Sequence, residues 1–209
     1  MFNSTLVTDL VMFLSQGLKQ LQLGFSVIPD PSVVFFPFRL RQLSLSLFHT
    51  FPHDVVSSLF ISSASTLVKL SIPVCEGTNH YPVVNQLYPI ISARIARLSV
   101  IHDDPAGRFS QLLEKCTMLR RLDYDGNWAQ LPSFLAFIPR PLTTLTAVIR
   151  VDDDDATRIL RESFDSVALS RVRRIKLYLE GVAWREVVGN EGFEENCRER
   201  GIEFILEEQ

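Results

Sequence analysis

The chain has 209 residues, 46% of them hydrophobic and 22% charged, with a formal net charge of −3 and a pI near 5.8. These values suit one ordinary globular domain and supply no overall attraction for nucleic acid. They also leave no membrane helix, which needs about twenty apolar residues in a row, because the most apolar window, 26–38, is broken by Pro29, Pro31 and Pro37.

The opening residues carry no basic segment, and Asp9 interrupts the apolar stretch that follows. A secretory signal is therefore not expected, the compartment is read as cytoplasmic or nuclear, and the Asn3-Ser4-Thr5 sequon is read as coincidence. A helical pattern over 9–15 leads into the phrase LKQLQL from Leu18. The proline-rich stretch 31–37 allows only a short helical turn before LRQLSL from Leu40. Pro52 and Pro82 suit helix starts; they open predicted helices over 53–63 and 83–93, which precede LVKLSI from Leu67 and IARLSV from Ile95. A helix over 107–115 precedes LRRLDY from Leu119, and a short turn over 131–139 precedes LTTLTA from Leu142. The acidic run Asp152–Asp155 opens a helix over 154–164, where carboxylates favour the positive end of the helix dipole. It is read as a capped, solvated turn, since a calcium loop needs a glycine and spaced ligands that are missing here. VRRIKL from Val172 and a helix over 190–200 follow, and the alternation of Ile202, Phe204 and Leu206 predicts a last edge strand guarded by Glu203, Glu207 and Glu208.

The seven phrases share one form, apolar-x-x-apolar-x-apolar, and their starts lie 22, 27, 28, 24, 23 and 30 residues apart. That is the wavelength of a leucine-rich repeat and too short for a full βαβ enzyme unit. The polar positions are ordered as well: none of the residues at positions three and five is apolar. In a strand these positions share one face and positions four and six the other, so the phase separates solvent from core. The expected fold is α/β, a leucine-rich-repeat solenoid of seven or eight irregular repeats spanning 1–209 as one domain. Parallel strands line its concave face and helices its convex face. Leu6, Val7, Leu10 and Phe13 are expected to cover the open end of the first repeat.

Little in the chain points to catalysis or metal chemistry. Cys75, Cys116 and Cys197 form an odd set with no CxxC, which suggests buried thiols, no disulfide framework and no metal site. No HExxH, GxSxG, P-loop or GxGxxG occurs, and no cofactor is expected. The rival is a small hydrolase or transferase built on His102, Asp103 and Asp125. Repeat arrays present long open surfaces where general acid/base chemistry prefers a closed cleft.

The functional clue is a column. Lys69, Arg97, Arg121 and Arg174 hold position three of four phrases, with Lys176 at position five of the last. Strands about 4.8 Å apart would stack these charges into a strip that attracts an acidic or phosphorylated protein segment. Arg41, Arg120 and Arg173, one position earlier, would thicken it, while Asp123 and Asp125 interrupt it. The bland alternative is a polar face kept for solubility.

The irregular repeat spacing, the junction LLEKCTMLRRLDY at 112–124 and the terminal NCRERGIEFIL at 196–206 together resemble the leucine-rich-repeat region of F-box proteins, especially divergent fungal ones. The resemblance implies a substrate receptor of a cullin-based ubiquitin ligase, joined to the ligase by an N-terminal F-box that docks on the Skp1 adaptor. Only 17 residues precede the first phrase, so an F-box is not evident and the chain is expected to be truncated on that side. FPHDVVSSLFI at 51–61 resembles the opening of an F-box helix but lies between two phrases in phase. It is expected to be an ordinary repeat helix. Skp1 and cullin are then partners only if an F-box is supplied, and a scaffold unrelated to ubiquitin is the alternative.

Overall fold

The structure is a computed structural model that describes residues 19–23, 39–45, 60–74, 92–102, 110–150, 153, 155–187, 190 and 192–208. Each of the seven phrases forms a strand that begins at its third position. The strands are β1 (Gln20–Leu23), β2 (Gln42–Leu45), β3 (Lys69–Val74), β4 (Arg97–His102), β5 (Arg121–Gly126), β6 (Thr144–Arg150) and β7 (Arg174–Glu180), and the expected terminal strand is β8 (Glu203–Glu208). They form one sheet in chain order, and every neighbouring pair is parallel. No hairpin joins them.

The register repeats without slippage, since Gln20, Gln42, Lys69, Arg97, Arg121, Thr144, Arg174 and Glu203 are successive partners. A recurring hydrogen-bond pattern sets it. Two consecutive N–H groups, at positions two and three, both donate to the position-two carbonyl of the preceding strand. Arg120 and Arg121 donate to the Ala96 carbonyl at 2.9 and 3.0 Å, and Thr143 and Thr144 to the Arg120 carbonyl at 2.8 and 3.1 Å. A one-residue slip would break this arrangement and turn every core side chain outward.

Burial follows the phase of the phrases. Position four holds Leu43, Leu70, Leu98, Leu122, Leu145 and Ile175, none more than 1% exposed. Side chains of this size each contribute about 1.5–3 kcal/mol when fully buried. They share one cluster with Leu112, Leu113, Leu131, Leu135, Leu160 and Phe193 from the connecting segments, which therefore cover the inward face of the sheet.

The helices whose bounds lie within the described residues are α1 (Ser110–Lys115), α2 (Leu131–Ala136), α3 (Ala156–Glu162) and α4 (Phe193–Glu199). α2 lies within the short turn expected over 131–139, and 107–109, at the start of the helix predicted over 107–115, lie outside the described residues; α3 and α4 are shorter than the periodicity predicts, for local reasons. α3 changes into a 3-10 turn, Ser163–Asp165, where the Ser163 hydroxyl donates to the Ile159 carbonyl at 2.8 Å and competes with the helical ladder. α4 begins only after Gly192, whose φ of 70° is not helical. Of the helix predicted over 53–63 only 60–63 are described, and they are helical; of that over 83–93 only Ser92 and Ala93 are described, in the 3-10 turn Ser92–Arg94. The segments predicted at 9–15 and 31–37, and the apolar residues from Leu6 to Phe13, lie outside the described residues.

The acidic run behaves differently from expectation. Asp155 occupies the N-cap position of α3 but makes no capping bond. Its ψ of 8° departs from the extended backbone that lets an N-cap side chain reach the first helical N–H groups. The carboxylate instead meets Arg158, Oδ2 to Nη2 at 2.8 Å, and that hydrogen bond holds its pKa below the usual carboxylate range. Asp153 accepts from the Arg150 backbone N–H at 2.7 Å, closing the turn; Asp152 and Asp154 lie outside the described residues.

Candidate interaction surface

Positions three and five of each strand point away from the core cluster and build the open face of the sheet. Lys69, Arg97 and Arg121 are direct partners across β3, β4 and β5, so the structure brings the first three cations of the column side by side. Asp123 lies beside them. Its Oδ2 is 2.7 Å from Arg97 Nε and its Oδ1 is 2.9 Å from Arg121 Nε, so one carboxylate serves two guanidinium groups. The cluster of three cations and one anion keeps a net charge of +2. Lys69 is the member without an ion pair among the described residues. Partial burial lowers the pKa of its ammonium, and the neighbouring Arg97 charge lowers it further.

Arg174 is not part of this cluster. Thr144 stands between it and Arg121 in the register, and its guanidinium pairs with Glu203, Nη2 to Oε2 at 2.7 Å. Lys176 is paired as well, Nζ to Glu207 Oε1 at 2.6 Å, and its ammonium lies 4.5 Å from the Tyr178 ring centroid. Hydrogen bonding to Glu207 raises its pKa first, and that to Tyr178 adds to it. The acidic residues expected to guard the edge of β8 thus also neutralise the β7 end of the column.

Two features of this face were not legible in the phrases. Thr146, at an outward position, is only 6% exposed, because Arg121 reaches across it with Nη2 at 3.4 Å from the hydroxyl. Arg150, past the end of the last shared phrase position of β6, bridges Asp125 at 2.6 Å and Glu180 at 3.0 Å. Its pKa is raised, first by the hydrogen bond to Asp125. The pairing of β5 with β6 stops at Tyr124 and Ala147, whereas β6 and β7 continue to Arg150 and Glu180. Trp128 closes the fork, its indole N–H donating to the Val148 carbonyl at 2.9 Å. The sequence signals are an arginine three residues beyond the phrase and a tryptophan just after a strand, and neither has a meaning until the register is known.

Of the residues of the hydrolase or transferase reading, only the Asp125 side chain is described. Asp125 is engaged by Arg150, while Asp103 and the His102 side chain lie outside the described residues. Among the described residues no three His, Cys, Asp or Glu side chains are grouped to hold a metal ion. A shallow hollow of about 360 Å³ opens beside α4, lined by Trp184, Asn190, Gly192, Glu194, Glu195 and Arg198. Cys116 and Cys197 are buried as expected, and burial pushes their thiols up to about 12 and about 11; Cys75 lies outside the described residues. No helix among the described residues is long and apolar enough to cross a membrane.

No protein-family model matches the chain, and no curated protein is detectably similar to it.

Proposed function

We propose that the chain is a leucine-rich-repeat interaction module, without enzymatic activity of its own, that holds an acidic or phosphorylated protein segment on the open face of its sheet. The supporting observation is the in-register cluster of Lys69, Arg97 and Arg121, which shares a single carboxylate, Asp123, and so retains positive charge. An open row of backbone-fixed cations recognises an extended anion without a closed cleft. In the F-box family that the repeats resemble, this is the work of a substrate receptor in a ubiquitin ligase, acting in the cytoplasm or nucleus. The chain takes that role when an F-box is supplied. Phe60, near the end of its own F-box-like segment, is buried in the core cluster, which supports reading that segment as a repeat helix.

Affinity purification of the full-length gene product tests the ubiquitin reading. Co-elution of Skp1 and cullin is expected from a product that carries an F-box, whereas residues 1–209 alone should bind Skp1 more weakly than micromolar. Purification of the same partners without Skp1 or cullin would assign the module to a scaffold outside the ubiquitin system. Arg97→Gln/Arg121→Gln tests the face itself and is cleaner than reversal to glutamate, which would set two further carboxylates beside Asp123. Partner binding that is indifferent to this double variant would make the column a polar face kept for solubility.

A further inference from the structure

Charge in this chain is sorted by strand direction. From four residues before each strand through its first residue there are thirteen Lys and Arg and only two carboxylates, Glu199 and Glu203, both at β8. From the last residue of each strand through the four that follow, there are eight carboxylates and one cation, Arg150. Because all eight strands are parallel and in register, the edge where they begin collects the cations of every repeat.

Most of these leading-edge cations are exposed and have no ion pair among the described residues. Lys19, Arg41, Arg120 and Arg173 hold the second phrase position of β1, β2, β5 and β7; the carbonyls of the first three take the paired hydrogen bonds of the next strand, and that of Arg173 accepts from the Glu203 N–H. Their side chains therefore stand on the rim of the sheet, and all four residues are exposed. Arg39, Arg94, Arg140 and Arg171, one or two residues before their phrases, are exposed as well. None of these eight joins an ion pair among the described residues. At β8 the charge is cancelled, where Glu203 pairs with Arg174.

We propose that this leading edge, from β1 to β7, is a docking rim for an extended Asp/Glu-rich protein segment. The inference rests on the interaction-module reading but moves the principal contact from the open face to the rim. Six strand spacings give the rim a length of about 29 Å, which matches about nine extended residues. Seven of these eight exposed cations are arginine, the side chain whose planar fork binds carboxylates in pairs. A peptide fits better than single-stranded nucleic acid for two reasons. No aromatic side chain for base stacking lies on the described part of the rim. A polyanion much longer than the rim would also run past β7 to the β8 end, where Glu199 and Glu203 lie.

The test uses a fluorescently labelled deca-glutamate peptide and a ten-nucleotide oligothymidylate, titrated with the whole chain at low salt. The peptide should bind, and its affinity should fall as salt is raised. Arg41→Glu/Arg120→Glu/Arg173→Glu should weaken it by roughly tenfold or more, and the Gln triple variant should weaken it less; the helical-side control Lys115→Glu should change nothing. Circular dichroism identical to wild type checks that the exposed substitutions leave the fold intact. Undetectable peptide binding, unchanged affinity in the triple variants, or tighter binding of the oligothymidylate would each overturn the proposal. Binding lost in Arg97→Gln/Arg121→Gln but retained in the rim triple variants would overturn it too, while leaving the open-face reading standing.

Discussion

Gly201 ends α4 with a left-handed φ of 69°, and the chain turns there into the last strand. The Ile202 N–H donates to the Cys197 carbonyl at 2.8 Å and the Gly201 N–H to the Arg198 carbonyl at 3.0 Å, the paired bonds of a Schellman stop. A Cβ added at Gly201 would meet nothing within 4 Å, so Gly201→Ala isolates backbone strain from steric conflict. It should cost about 1 kcal/mol in urea unfolding, and no measurable cost would mean that the stop is not held as described. Cys116 makes a second prediction at this scale. Burial raises its thiol from the ordinary 9.0 to about 12, so above pH 9 the unfolded chain loses this proton first and binds fewer protons than the native state. Its contribution to stability should therefore fall as the pH rises from about 9 toward 12. Comparing urea midpoints at pH 8 and pH 10 for wild type and Cys116→Ala measures it, and the variant should lose less over this interval. Iodoacetamide at pH 8 should leave Cys116 unmodified in the native protein and alkylate it after unfolding.

At the level of elements, the strands were legible and the spaces between them only partly so. A strand shows itself through a period of two, and Leu70, Leu98 and Leu122 announce their burial by position alone. The helices carry six or seven residues each, too few turns for a periodic signal to fix their ends. The ion pairs were hidden for another reason. Arg97 and Asp123 lie 26 residues apart and become diagonal neighbours only once β4 and β5 are set in register. With the register known, a carboxylate at position five beside arginines at position three could have been matched by hand. Asp123→Asn tests what that pairing does. Exposed and half-exposed pairs contribute about 0.2–1 kcal/mol each, so the melting temperature should move little. The deca-glutamate peptide should bind up to about threefold more tightly at low salt, because one competing charge is gone. Weaker binding by this variant would mean that Asp123 positions Arg97 and Arg121 rather than competing for them.

Seen whole, the molecule is a row of units in which each strand pairs only with the strands before and after it in the chain. Stability in such a row is a sum of unit and neighbour terms, and the two ends need not open together. The phrases alone carry the repeat phase, whereas the sorting of charge lies largely outside them and acquires a direction only once the strands are parallel and in register. The rim and the open face meet along the first residue of each strand, where Lys69, Arg97 and Arg121 belong to both. That shared line is why the two surfaces must be tested with separate substitutions.

The two tryptophans turn this row into a pair of optical gauges. Trp128 is 3% exposed and bonded across the β5–β6 fork, while Trp184 lies half-buried against Phe193 and Phe204, near the last strand. Emission from Trp128 should be blue-shifted, and that from Trp184 should sit further to the red. Single-tryptophan variants, Trp184→Phe and Trp128→Phe, then report two distinct stretches of the row during denaturation. If the array frays from its C-terminal end, the Trp184 signal should shift at lower urea than the Trp128 signal. Coincident transitions would show that the coupling between neighbours is strong enough for the row to melt as one body.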